Sequence, residues 1–274
     1  MTGPLRSETL VVDASGGALQ VRVEGTGPPV VLVPSLGRGS DDLVELAASL
    51  RAAGHTTALV DPPGIGTPLP AAPAADLHQS AADVWAVVDR CGWDRVALVG
   101  HAFGNRLVRT ASADRPDRVR AIVLLACGGD VEPEPGTWEL LARCFDTGLE
   151  PAEHLAAVAA AFFAPGNDPT PWADGWWPAV AGHQTAAVAA TDRTDFLAGG
   201  TAPMLVVQGA DDRVAVAANA RNLARRRPGA QVVEIDRCGH AMLPEQPHAI
   251  AAAVVPFLAA APESDVVHPN GAHP

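Results

Sequence analysis

A histidine behind a glycine, two adjacent aspartates and a short glycine-framed segment are the parts of this chain whose types and spacing could do chemistry. His240 stands in "DRCGHAMLPEQP", Asp211 and Asp212 end "VVQGADD", and "VGHAFGN" runs from Val99 to Asn105. An imidazole held by a carboxylate makes a general base near neutral pH, because the carboxylate fixes the tautomer and stabilises the imidazolium that forms. Gly100 and Gly104 permit a tight turn from strand to helix that lifts the side chain between them off the sheet. That central residue is Ala102, whose methyl can neither attack a carbonyl nor accept a proton. His101, His183 and Cys127 are weaker candidates. A histidine beside such a turn is more often a packed group, His183 reads as an exposed helix position, and no thiolate-stabilising base accompanies Cys127.

The composition narrows the chemistry. There is no lysine among the 274 residues, which removes Schiff-base and pyridoxal phosphate chemistry and the phosphate-binding P-loop. The formal net charge is −12 and the longest basic run is Arg225-Arg226-Arg227, so nucleic acid is not an expected partner. Cys91, Cys127, Cys144 and Cys238 have neither metal-ligand spacing nor the density of a disulfide scaffold. No metal and no cofactor is expected. The segment "MTGPLRSETL" has no basic flank or apolar core, and Pro256 interrupts "IAAAVVPFLAAAP". The expectation is a soluble cytoplasmic protein without membrane contact, its oligomeric state open.

The elements that must position these residues alternate along the chain. "TLVVDA" and "ALQVRVEG" flank a Ser15-Gly16-Gly17 turn and predict a hairpin. "PPVVLVP", "TTALVD", "RVALVG", "VRAIVLLA", "PMLVVQG" and "AQVVEID" are apolar, β-branched runs of strand length. Helices are predicted over "DDLVELAASLRAAG", capped by Ser40 or Asp41, and over "DLHQSAADVWAVVDRCG". Such alternation implies an α/β fold with a doubly wound, mostly parallel sheet of about eight strands. It stops between about Cys127 and Ala202, where a Pro-, Trp- and Ala-rich stretch predicts an inserted helical cap. The expected division is residues 1–126 and 203–260 as the core, 127–202 as the cap and 261–274 as a disordered tail, which removes His268 and His273 from consideration. Trp138, Trp172, Trp176 and Trp177 either form the cap's own core or line an apolar substrate pocket where it meets the sheet.

The combination of "GHAFG", "VVQGADD" and "CGH", in that order, resembles the α/β-hydrolase superfamily, in which nucleophile, acid and histidine follow one another along the chain. The resemblance extends from about Leu10 to Ala260 and is similar to that of bacterial members described simply as hydrolases. It implies the acid role for Asp212, with Asp211 left as a turn or helix cap, and the base role for His240. It places Ala102 where the nucleophilic serine stands.

A second departure lies after the third strand. The superfamily usually shows His-Gly there, and this chain reads Pro34-Ser35-Leu36-Gly37. The N–H groups of Leu36 and Phe103 could still form an oxyanion hole, since that function needs amides rather than a given side chain. Ser35 is a nearby hydroxyl expected to contact substrate, and a nucleophilic role for it is weak because nothing in the sequence places it within reach of His240. Two histories accommodate Ala102. As an engineered replacement of serine it would trap substrate in an esterase or lactonase. As a native residue it leaves an Asp212–His240 dyad that could activate water or deprotonate the substrate, and the second departure at Pro34-Ser35 favours this reading. The expected function is action on a small, largely apolar ester or lactone-like molecule through that dyad. The alternatives are a silent small-molecule binding protein, and a proton-abstracting enzyme of lyase or cofactor-free dioxygenase type.

Overall fold

The computed structural model describes residues 6–197 and 199–261; of the expected tail 261–274, Ala261 is described and is buried in the core, and the rest, with His268 and His273, lies outside the described residues. Its strands are β1 (Arg6–Val12), β2 (Leu19–Gly25), β3 (Pro29–Val33), β4 (Thr56–Asp61), β5 (Val96–His101), β6 (Val119–Leu125), β7 (Met204–Gly209) and β8 (Gln231–Ile235). They form one sheet in the order β1-β2-β4-β3-β5-β6-β7-β8. β1 pairs antiparallel with β2, and β2 antiparallel with β4, while every pairing from β4 to β8 is parallel.

The helices around the sheet are α1 (Val44–Ala52), α2 (Leu77–Arg90), α3 (Phe103–Asp114), α8 (Ala218–Arg226) and α9 (Pro247–Ala260). Four more, α4 (Thr137–Cys144), α5 (Pro151–Phe162), α6 (Pro178–Ala189) and α7 (Arg193–Leu197), lie between β6 and β7 with no strand among them. The helical insertion expected between about 127 and 202 is therefore present, and none of its described residues adds to the sheet.

Side chains of a strand alternate between the two sheet faces, and the core divides accordingly. Leu98 of β5 and Ile122 and Leu124 of β6 pack with α2 and α3, through Val84, Val88, Leu107 and Val108. Ala97, Val99, Val123 and Leu125 point to the opposite face, against Leu46 and Leu50 of α1 and Ile250, Val254 and Leu258 of α9. Burial on both faces explains why the central strands read as unbroken apolar runs.

One helix start differs from its sequence signal. Neither Ser40 nor Asp41 caps α1, which begins at Val44 with Leu43 at the cap position and no side-chain cap, after a short 3-10 turn over Ser40–Leu43. Asp41 is drawn instead to Arg22 of β2 at 2.6 Å, and the Ser40 N–H donates to Asp61 Oδ1 at 2.6 Å. A charged partner across the sheet outcompetes a local cap. α2 does start as its sequence indicates, with the Asp76 carboxylate accepting the Gln79 N–H at 2.8 Å.

The insertion has its own small core of Cys144, Ala157, Val158, Ala161, Phe162, Phe163 and Trp172, which also takes in Ala241 from the loop after β8. It is tied to loops at the carboxyl ends of the parallel strands. The Trp177 N–H donates to the Gly37 carbonyl and the Ala241 N–H to the Phe162 carbonyl, each at 2.9 Å. No helix among the described residues is long and apolar enough to cross a membrane.

Candidate active site

The junction of β5 and α3 is built by two close approaches. A Cβ on Gly100 would collide with the Gly104 carbonyl, and one on Gly104 with the Val33 carbonyl at the end of β3. Only glycine lets α3 start this near the sheet and lets the loop after β3 come alongside. Between them Ala102 has φ 49° and ψ −105°, well outside the conformations an alanine prefers. Its N–H donates to the Leu125 carbonyl at 2.9 Å, and its carbonyl accepts the Asn105 N–H at 3.0 Å.

Strain of this kind costs about 1–3 kcal/mol and persists only where the surroundings impose it. Replacing Ala102 by glycine, which tolerates positive φ, is therefore expected to raise unfolding stability by about 1 kcal/mol after the added chain entropy is deducted. Urea denaturation of the two proteins measures this. An unchanged or lower midpoint would show that the turn holds no such strain.

His240 follows β8 and meets Asp212, which follows β7. Its Nδ1 lies 2.9 Å from Asp212 Oδ2 and 3.1 Å from Oδ1, with both side chains buried. The carboxylate is further held by the N–H groups of Val214 at 2.9 Å and Ala215 at 2.7 Å, and by the Gln208 side-chain amide at 3.0 Å. An imidazole that donates Nδ1–H to a fixed carboxylate presents Nε2 as an acceptor, the state a general base needs. Asp211 is placed apart from this pair by its backbone, its N–H donating to the Cys238 carbonyl at 2.9 Å.

His101, next to Ala102, is fully buried, with its ring centroid 5.7 Å from that of His240. Its Nε2–H donates to the His240 carbonyl at 2.8 Å. Burial first, then the proximity of the His240 and Arg38 charges, push its pKa down to about 3. It is a neutral strut under the His240 loop.

The unfolded chain protonates this histidine near its ordinary value of about 6.5. His101 therefore contributes stability that is fully present above that pH and is lost as pH falls toward 3, at about 1.4 kcal/mol per unit. His101→Gln should keep the donor and flatten the stability profile between pH 6 and 4. Equal acid slopes in the two proteins would exclude His101 as the source.

The other expected site residues divide sharply. Leu36 lies in the loop after β3, beside Ser35, which is buried. Phe103 is the first residue of α3, where an N–H has no preceding turn to bond. Trp172 is buried in the core of the insertion, with Trp176 packed at its edge, whereas Trp138 and Trp177 are exposed at 61% and 44%. None of the four tryptophans lines the apolar cavity of about 70 Å³ that adjoins Phe103 and Pro34. His183, read from sequence as an exposed helix position, is half-buried and does line that cavity, because α6 leans its Val180–Gln184 turn onto it. The Cys127 thiol is pushed up by burial, which opposes a nucleophilic thiolate.

Four supporting residues escaped the sequence. Gln208 joins Asp212 to the Cys127 N–H, and the one sign of it is a lone amide inside the apolar run "MLVVQG". Glu245 accepts the N–H groups of Gly239 at 2.9 Å and Ala164 at 2.8 Å, so it clamps the His240 loop to the insertion. The buried Arg38 forms a two-point ion pair with Asp42, donates to the Asp174 carbonyl and lies over the Trp172 and Trp176 rings at 4.4 and 4.8 Å. Asp83, on α2, reaches the same cavity as His183. No group of residues able to hold a metal ion occurs among the described residues.

Comparison with known proteins agrees with this architecture. Residues 30–253 match the model of the alpha/beta hydrolase family. The chain is 26% identical to 2-(acetamidomethylene)succinate hydrolase of Mesorhizobium japonicum over 90% of this chain and 94% of that protein. It is 29% identical to polyketide synthase ThaQ of Burkholderia thailandensis over 93% of this chain, which spans only 13% of the synthase. Among solved structures, a hydrolase from Pseudomonas aeruginosa shares the fold with a TM-score of 0.78 at 22% identity, over 92% of this chain and 99% of that one. With the eight-stranded sheet and its connections in agreement, the chain belongs to the alpha/beta hydrolase family.

Proposed function

We propose that this protein is an enzyme that hydrolyses a small, largely apolar ester or lactone-like molecule, with His240 as general base and Ala102 standing at the position of the nucleophile. The observation that carries the reading is the buried His240–Asp212 hydrogen bond at 2.9 Å, in loops at the carboxyl ends of β7 and β8. A methyl at position 102 leaves free the volume a serine hydroxyl would fill, and a water molecule there can take its part. His240 Nε2 removes a proton from that water as its oxygen adds to the substrate carbonyl. The N–H groups of Leu36 and Phe103 receive the oxyanion, and the proton passes to the departing alkoxide, giving acid and alcohol.

The insertion acts as the cap in this reading, its ties to Gly37 and Ala241 keeping bulk water from the dyad. The names of the relatives support hydrolytic chemistry, among them the hydrolase of Mesorhizobium japonicum and a putative carbamate hydrolase, RutD, of Caulobacter sp.. The succinate of the first name is not carried over to this chain. The match to a short part of a polyketide synthase is compatible with an acyl substrate. The test is turnover of a panel of short esters and lactones by the unmodified chain and by His240→Ala, with pre-steady-state alcohol release followed for the burst that an acyl-enzyme would give.

A further inference from the structure

The cavity beside α3 carries a chemistry of its own. Its wall is apolar except for Ser80 and Asp83 on α2 and His183 and Gln184 on α6. Two of these are already engaged. The Ser80 hydroxyl donates to the Asp76 carbonyl at 3.3 Å, and Gln184 Oε1 accepts the Gly37 N–H at 2.7 Å.

Asp83 holds the turn between β1 and β2, its Oδ1 accepting the Ser15 hydroxyl at 3.1 Å and the Gly16 N–H at 3.0 Å. Both of these bonds fall on Oδ1, while Oδ2 packs against Gly16, and burial pushes the Asp83 carboxyl's pKa up. His183 has no hydrogen-bond or ion-pair partner among the described residues. The cavity therefore presents a carboxylate from one wall and an unengaged imidazole from another, across an otherwise oily interior.

Charge decides what can enter. Among the described residues no arginine lines the wall, Asp83 is its one carboxylate and His183 its one imidazole, and the chain has no lysine and a net charge of −12. A ligand carboxylate would lose its water and meet a like charge in a poorly screened pocket. A hydroxyl or amine would instead donate to Asp83, and its body would gain from the apolar wall.

We infer that this cavity selects a small, mostly apolar molecule bearing a hydrogen-bond donor, an amine or a hydroxyl, that meets Asp83 and His183, and that it rejects molecules carrying a carboxylate. Phe103 of the wall follows Ala102 in the chain, while neither Ala102 nor His240 lines the cavity, so the inference stands on the cavity alone and rests on the hydrolytic reading only for the step from ligand to substrate. Binding without turnover separates the two, since a cavity with this preference could exist in a protein whose His240 has no role.

The experiment is calorimetry on the full chain with 2-phenylethylamine, 2-phenylethanol, ethylbenzene and phenylacetate, which share one apolar body. The amine and the alcohol are expected to bind at least about tenfold more tightly than phenylacetate. Asp83→Asn, checked for folding by circular dichroism, should reduce the preference for amine over carboxylate to about threefold or less. Because Asp83 also holds a turn, His183→Leu supplies a readout that leaves the turn intact. It should reduce the advantage of 2-phenylethanol over ethylbenzene by at least about threefold. Phenylacetate binding as tightly as the amine, no binding by any of the four, or unchanged ratios in the folded variants would each overturn the proposal.

Discussion

Ala102→Ser is expected to raise hydrolysis of an activated ester by at least about a hundredfold, and to make the protein a target for covalent labelling by an organophosphate. The expectation rests on what the added hydroxyl would meet. The turn is already strained at φ 49°, the glycine contacts that lift position 102 are in place, and His240 is oriented by a carboxylate that has three other hydrogen bonds to hold it. In serine hydrolases the loss of the nucleophile alone costs on the order of a millionfold in turnover, because the members of the triad act as a unit. Restoring it in a site whose other parts are positioned should recover a substantial share.

Sequence by itself favours alanine as the native residue, and with it weak labelling at most, because of the second departure at Pro34-Ser35. The backbone shifts that balance. Alanine draws no benefit from the strained conformation it occupies, which supports the proposal that a serine can function there. Mass spectrometry after incubation with the organophosphate reads the result directly. Absence of an adduct together with unchanged ester turnover would show that the turn at position 102 does not support a serine.

His240→Ala is expected to lower turnover of the reactive ester or lactone by at least about a thousandfold in the unmodified chain, with little change in ligand binding. A general base acts on the transition state, so its loss should fall on kcat rather than KM. Asp212→Asn should cost less than the histidine while leaving the fold intact, since the amide keeps the shape but loses the preference for the productive tautomer. Pre-steady-state alcohol release tests the route. Direct attack of water yields acid and alcohol together with no burst, whereas a covalent acyl-enzyme would release alcohol first. Turnover that survives His240→Ala would remove this residue from the chemistry. Ligand binding with no turnover of any ester or lactone would make the protein a receptor or carrier built on the same fold.

The sequence by itself determined the layers of this protein and the order of its chemical parts. Alternating apolar runs and amphipathic segments predicted the strands, because burying both faces of a parallel sheet demands continuous β-branched stretches such as "VALVG" and "VRAIVLL". The glycines around Ala102 were legible for the same kind of reason, since a strand cannot turn into a helix in so few residues if a Cβ stands at Gly100 or Gly104. The break in alternation after Cys127 marked the insertion.

Only the tertiary structure decided which of these residues meet. The resemblance already implied Asp212 over Asp211; the structure supplies the contact itself, through the Gly209–Asp212 turn and the bonds that the carboxylate receives at Val214 and Ala215. The aromatic residues of the insertion could not be sorted by type. Burial of Trp172 and exposure of Trp138 and Trp177 depend on how short helices pack, a long-range matter on which helical periodicity is silent. The same holds for Gln208, Glu245, Arg38 and Asp83, each distant in sequence from a group it holds or from a cavity wall it shares. Local pattern reports which face of an element is apolar. It does not report which polar side chain will find its partner across the fold, because that choice is made by the closing of long loops and the desolvation of pairs that no short window contains.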